Sequence, residues 1–128
     1  ALLPRADWLI IASPLTADTR GLINADLLAR LPSGARIINI ARGEIIDETA
    51  LIVALREQRL GGAYLDVFEK EPLATDSPLW DLPNVLISPH NSAAAQGNDE
   101  RVYQMFVANM ERWQHGKVLS NEVHSTSS

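Results

Sequence analysis

The stretch IINIARGEIIDETALIVALREQRLGGAYLDV, residues 37–67, decides the fold. Its two ends, residues 37–41 and 63–67, are nearly continuous in apolar side chains instead of alternating, the pattern of strands buried on both faces. Between them, residues 49–59 carry a helical pattern that follows a candidate cap at Asp47 and stops at Gly61 and Gly62. Strand, helix and strand within about 30 residues form a parallel crossover unit. Outward from this unit, residues 8–12 and 85–88 read as two further buried strands, and residues 25–30 as a helix ending before Leu31 and Pro32. The alternation predicts an α/β fold, a doubly wound parallel sheet with helices on both faces.

Composition limits what such a sheet can serve. With 128 residues, 46% of them hydrophobic, the chain can build one compact core and is at most one domain or part of one. A formal net charge of −5 and the lack of a basic stripe argue against nucleic acid, because phosphates are held by displacing their counterions with Lys and Arg. No cysteine is present, which rules out disulfides, thiolate metal sites and a cysteine nucleophile, and fits a cytoplasmic location. The longest strongly apolar run, residues 8–12, is far shorter than the roughly 20 residues of a membrane crossing. Nor do the first residues look like a signal sequence, so no membrane partner is expected.

Residues 69–84 form a polar stretch broken by Pro72, Pro78 and Pro83, which predicts a long loop of the kind that lines sites. A last helix is expected from about residue 94 to 115, with Val102, Phe106, Met110 and Trp113 on one packing face and Gly116 as its stop. The serine-rich tail, residues 120–128, has nothing to bury and is expected to be loosely ordered. His115 and His124 fall near this end and are expected to be solvated.

Ligands of open parallel sheets gather beyond the carboxyl ends of the strands. The first strand is followed by Ser13, Pro14, Leu15, Thr16 and Thr19, and the second by Arg42 and Gly43. Asp66 lies in the third, which leads to Glu69 and Glu71, and the fourth ends at Pro89 and His90. Arg42, Glu71 and His90 thus converge from three strand ends. Singly, each has a plainer reading: a solvated arginine in a turn, a glutamate beside a proline, a histidine at a strand end. Gly43 would allow an unusual dihedral or a close approach beside Arg42. Asp47 reads as a helix cap rather than a catalytic acid. Trp80 either shapes a pocket or packs under its loop.

Three strings carry a more specific signal: Asn39-Ile40-Ala41-Arg42-Gly43-Glu44-Ile45-Ile46-Asp47, Leu65-Asp66-Val67-Phe68-Glu69-Lys70-Glu71-Pro72 and Ser88-Pro89-His90. Together they resemble the D-isomer-specific 2-hydroxyacid dehydrogenases, which include glyoxylate/hydroxypyruvate reductases and phosphoglycerate dehydrogenases. The run Ser13 to Arg20 is similar to the stretch preceding these signatures, and the resemblance extends from about Ala6 to Trp113. It implies that Arg42 grips the substrate carboxylate and polarises its keto group, while His90, supported by Glu71, delivers the proton. It further implies that Asp66 accepts a hydrogen bond from the nicotinamide carboxamide, and that Pro14, Thr19, Ile40, Ala41, Arg42 and His90 border an NAD or NADP cofactor. Without the resemblance, Asp66 reads as a turn residue bonded to its own backbone.

Missing from the chain are the family's G-x-G-x-x-G phosphate turn, the acidic residue after the next strand and the substrate domain. The resemblance therefore implies the C-terminal half of a doubly wound, Rossmann-type NAD(P)-binding domain over residues 1–92. Residues 93–119 would be a helix returning toward the substrate domain, and 120–128 a polar tail. A chain of this extent is expected to be an incomplete enzyme. The implied reaction is hydride transfer between NAD(P)H and a small 2-keto acid, glyoxylate or hydroxypyruvate foremost, in a homodimer. The relative acting on formate has glutamine where this chain has Glu71, which speaks against formate. The other reading is a non-catalytic, NAD-sensing corepressor, since such relatives keep much of the same site.

Overall fold

The computed structural model describes residues 2–122, and the chain divides between Ala93 and Ala94 into two compact units. In the first unit, β1 (Trp8–Ile11), β2 (Arg36–Asn39), β3 (Gly62–Leu65) and β4 (Val85–Ile87) pair in parallel in that order. The strands sit where the apolar runs placed them but stop short at their carboxyl ends, so Ala12, Ile40, Ala41, Asp66, Val67 and Ser88 lie beyond the ladder. Between β1 and β2 runs α1 (Ala25–Ala29), capped by Asn24, whose Oδ1 accepts the Leu27 N–H at 3.0 Å. Between β2 and β3 runs α2 (Glu48–Arg56), where Asp47 is the expected cap: its Oδ1 accepts the Ala50 N–H at 2.9 Å. The connection from β3 to β4 is mostly irregular, as its prolines demand, apart from a short 3₁₀ turn over Pro78–Asp81.

One core fills one side of the sheet. Leu28 from α1, Leu51 and Leu55 from α2, and Leu79 from the 3₁₀ turn are all buried together with Ile37 and Leu65 of the strands. The opposite face corrects the expectation of strands buried on both sides. There Ile10, Ile38, Tyr64 and Leu86 align in one register row across all four strands, and Ile10 and Leu86 are 60% and 69% exposed. The cause lies in the strand order. Right-handed crossovers that always step to the next strand in the same direction deliver every connection to the same face. All three connections accordingly contribute to the single core. Trp8 stands at the rim of the open face, with the Arg36 guanidinium 5.3 Å from its ring centroid.

The second unit holds α3 (Asn98–Gln114), which starts later than the sequence suggested. Gly97, with φ of 75°, occupies the cap in a left-handed conformation that ends the preceding turns. The stop is the expected one: Gly116 takes φ of 62°, and the N–H groups of Gly116 and Lys117 bond back to Trp113 and Arg112. Val102, Phe106, Met110 and Trp113 share a face as expected, yet all are exposed where packing was anticipated. Part of the tail is tied down, since Asn109 exchanges two hydrogen bonds with the Ser120 backbone. His115 is exposed and its Nδ1 bonds to the Glu111 carbonyl at 2.7 Å. His124 and the rest of the tail, from residue 123 on, lie outside the described residues. Among the described residues no helix is long and apolar enough to cross a membrane.

Candidate active site

The residues singled out from the sequence sit beyond the carboxyl ends of the parallel strands. After β1, the Thr19 hydroxyl donates to the Pro14 carbonyl at 2.8 Å and its oxygen accepts the Thr16 N–H at 2.7 Å, closing residues 14–19 into a turn. Just past that turn, the Gly21 N–H donates to the carbonyl of Glu44, in the segment following β2, at 2.8 Å.

After β2, buried Asn39 directs the chain. Its Oδ1 accepts the Ala41 N–H at 3.1 Å and its Nδ2 donates to the Arg42 carbonyl at 3.0 Å, so one amide fixes the turn that carries Arg42. Ile40 is left 40% exposed, Ala41 is buried and Arg42 is exposed, with its Nη1 donating to the Ala41 carbonyl at 2.6 Å. A guanidinium has five N–H donors, so this bond leaves most of the fork for a ligand. Gly43 is required by a close approach, although of the chain itself: a Cβ there would lie 1.8 Å from the Phe68 carbonyl carbon. This contact brings the Arg42 turn against the segment leading to Glu71.

Glu71 and His90 meet directly. The Glu71 Oε2 lies 2.7 Å from the His90 Nδ1, and its Oε1 accepts the Phe68 N–H at 3.0 Å. An ionised carboxylate can only accept, so Nδ1 carries a proton and Nε2 is the ring atom left for a substrate. Burial pushes the Glu71 carboxyl up, but the hydrogen bonds from His90 and Phe68 and the nearby charges of His90 and Arg42 outweigh it and hold it below the ordinary value. Arg42, Glu71 and His90 are thus one electrostatic group. Glu71 and His90 also border a cavity of about 650 Å³ whose apolar walls include Phe68, Leu73, Trp80 and Pro89; Arg42 does not line it. Trp80 faces the cavity and its indole N–H donates to the Ala74 carbonyl at 2.9 Å, while its 52% exposure does not fit packing under the loop.

Asp66 follows β3 and is buried. Its Oδ1 accepts the Ser88 hydroxyl and, at 3.0 Å, the Asn91 N–H; its Oδ2 accepts the Ser92 hydroxyl and, at 2.8 Å, the Ser92 N–H. Burial alone would raise its pKa, yet these four donors together hold the carboxyl well below the usual carboxylate range. The reading of Asp66 as bonded to its own turn is corrected: its partners lie more than twenty residues away, in the segment that bears His90. Asn39, Ser88 and Ser92 are the site residues that sequence reasoning did not assign. An asparagine inside an apolar strand was the one visible sign, because a buried amide must find partners.

Parallel strands with an Arg, a Glu–His pair and a buried Asp at their carboxyl ends define a dinucleotide-type domain equipped for acid–base chemistry. Residues 1–92 match the family described as D-isomer specific 2-hydroxyacid dehydrogenase, NAD binding domain, and the chain belongs to that family. It is 42% identical over 123 residues to glyoxylate/hydroxypyruvate reductase B of Salmonella newport, covering 96% of this chain and 38% of the relative. Identity to the (S)-sulfolactate dehydrogenase of Chromohalobacter salexigens is also 42%, over 111 residues, 87% of this chain and 36% of the relative. The chain therefore spans well under half the length of these curated relatives. Among solved structures, a D-isomer specific 2-hydroxyacid dehydrogenase from Xanthobacter autotrophicus Py2, in complex with NADPH and MES, superposes with a TM-score of 0.87 at 44% identity. That match covers 95% of this chain and 50% of the other. The NADPH-dependent glyoxylate/hydroxypyruvate reductase of Sinorhizobium meliloti, in complex with NADP and sulfate, gives 0.85 at 38% identity, over 94% of this chain and 39% of the other.

Proposed function

We propose that the full-length protein carrying this chain is an oxidoreductase that interconverts a small 2-keto acid and its D-2-hydroxy acid with NAD(H) or NADP(H), glyoxylate and hydroxypyruvate being the foremost substrates. The observation that carries this reading is the 2.7 Å His90–Glu71 pair beside the cavity at the strand ends. The names of the relatives support the substrate class. The site's shape supports the cofactor: exposed Pro14 and Ile40 offer apolar surface beyond the first two strands, with polar groups from the next two close by.

Pro14, Thr19, Ile40, Ala41, Arg42, Asp66 and His90 would border the cofactor. A reduced nicotinamide, when bound, is the source of the hydride. Arg42 holds the substrate carboxylate with paired N–H donors and draws electron density toward the keto oxygen. His90 gives its Nε2 proton to that oxygen as negative charge builds there, and Glu71 stabilises the imidazolium before transfer and keeps the ring oriented. In the reverse direction neutral His90 takes the hydroxyl proton, so one pair serves both directions. Assembly as a homodimer and a cytoplasmic location belong to the same proposal and rest on the family resemblance.

The test is oxidation of NADH and NADPH by the full-length protein with glyoxylate and with hydroxypyruvate. Turnover should occur and fall by about 100-fold or more in His90→Ala, the usual weight of a general acid. Arg42→Ala should raise KM and lower kcat together, because the charge it removes acts on ground and transition states alike. Tight nucleotide binding without turnover of any keto acid would replace the dehydrogenase by the corepressor reading.

A further inference from the structure

The turn that presents His90 is held by a group outside the catalytic pair. His90 has φ of 53°, a left-handed conformation that is strained for a residue with a Cβ and persists where its surroundings fix it. The next two N–H groups, of Asn91 and Ser92, both point at the Asp66 carboxylate, at 3.0 and 2.8 Å. Successive N–H groups converging in this way form an anion-binding concavity. Here the anion is the chain's own.

Asp66 is well placed to act as an anchor. Its N–H bonds to the Asn39 carbonyl at 3.0 Å, and the Ser88 N–H bonds to the Leu65 carbonyl at 3.0 Å, so carboxylate and turn are both referenced to the sheet. Ser88 gives its only proton to Asp66, so the 2.8 Å contact between Tyr64 and Ser88 must have the phenol donating. A chain of donors thus runs from Tyr64 through Ser88 to Asp66. With two donors on each oxygen, the roughly four lone-pair positions of the carboxylate are filled.

We propose that Asp66 is a positioning residue for His90: its carboxylate locks the turn of residues 88–92 and thereby holds the imidazole with Nδ1 on Glu71. The proposal rests on the reading of His90 as the proton donor, but its geometric part can be observed without turnover.

The experiment uses the full-length protein and compares Asp66→Asn, which keeps size but sets an NH2 against the turn's N–H donors, with Ser92→Ala and Ser92→Thr. Steady-state kinetics with hydroxypyruvate across pH, the nucleotide Kd, and the ring-nitrogen NMR signals of His90 are recorded for each. Asp66→Asn should lower kcat by about 10- to 100-fold, the scale of a displacement near 1 Å, and shift the pH profile of kcat. The Nδ1–H signal of the Glu71 bond should be lost or broadened, and nucleotide Kd should rise as well, because Asp66 also borders the cofactor. Ser92→Ala should move kcat, its pH profile and the His90 signals less, with KM and nucleotide Kd within about 2-fold, and Ser92→Thr should restore them. If Asp66→Asn does not fold, the Ser92 pair carries the test. A rise in nucleotide Kd with kcat and the His90 signals unchanged would overturn the proposal and make Asp66 a cofactor ligand. A lowered Tm with the pH profile and the His90 signals unchanged would overturn it by reducing the contact to stability. A wild-type protein without turnover would defeat the dehydrogenase reading, while the His90 signals in the variants would still decide the positioning role.

Discussion

Glu71 uses its two oxygens for different tasks, one on the Phe68 backbone and one on His90. Replacing it by glutamine keeps the shape and removes the charge that favours the imidazolium. Glu71→Gln should therefore move the pH profile of kcat for reduction, with little change in nucleotide affinity; a profile coincident with wild type would remove Glu71 from the proton-transfer scheme. The placement of Arg42, Glu71 and His90 beyond the strand ends was legible in the sequence because each follows an apolar run and sits in a distinctive string. Ser92 and Asn39 were not. Ser92 matters through a carboxylate distant in sequence, and serine after a turn is too common to signal anything by itself.

Among the elements, the four strands and α2 were legible because burial writes a continuous apolar run and capping writes an acidic residue at a fixed place. Asp47→Ala should cost about 1 kcal/mol in urea unfolding, since the Ala50 N–H would lose its partner and the first turn of α2 is exposed to fraying. A loss near zero would mean that water serves the N–H equally well. The start of α3 was misplaced because residues 94–97 are compatible with helix by composition, whereas the left-handed Gly97 breaks it. Burial on both faces was misread for a different reason. An apolar run shows that a strand can be covered on two sides, but which sides are covered follows from strand order and crossover handedness, neither of which is written in any single strand.

For the whole molecule, the two depressed carboxyls make a prediction about acid. Asp66 and Glu71 both have folded pKa values below their ordinary ones. Such a group stabilises the fold fully above its unfolded value, and the contribution is lost as pH falls through the folded value. Stability should then hold from neutral pH to about 4 and decline below that, as protons bind the unfolded chain first. Denaturant midpoints measured from pH 7 to pH 3 should show this decline, and Asp66→Asn should start lower and fall less. Curves that run parallel for wild type and variant would show that Asp66 contributes no acid sensitivity.

The strand order also bears on how the chain is made. Among the described residues, β2, β3 and β4 each pair with the strand synthesised just before them. A chain emerging from the ribosome at roughly 5–20 residues per second can therefore dock β2 on β1, then β3, then β4, each time closing a loop of only about 30 residues. Loops of this length carry a modest entropic penalty on closure. His90, which lies after β4, follows Arg42, Asp66 and Glu71 in this order, and Asn91 and Ser92, which clamp Asp66, come directly behind it.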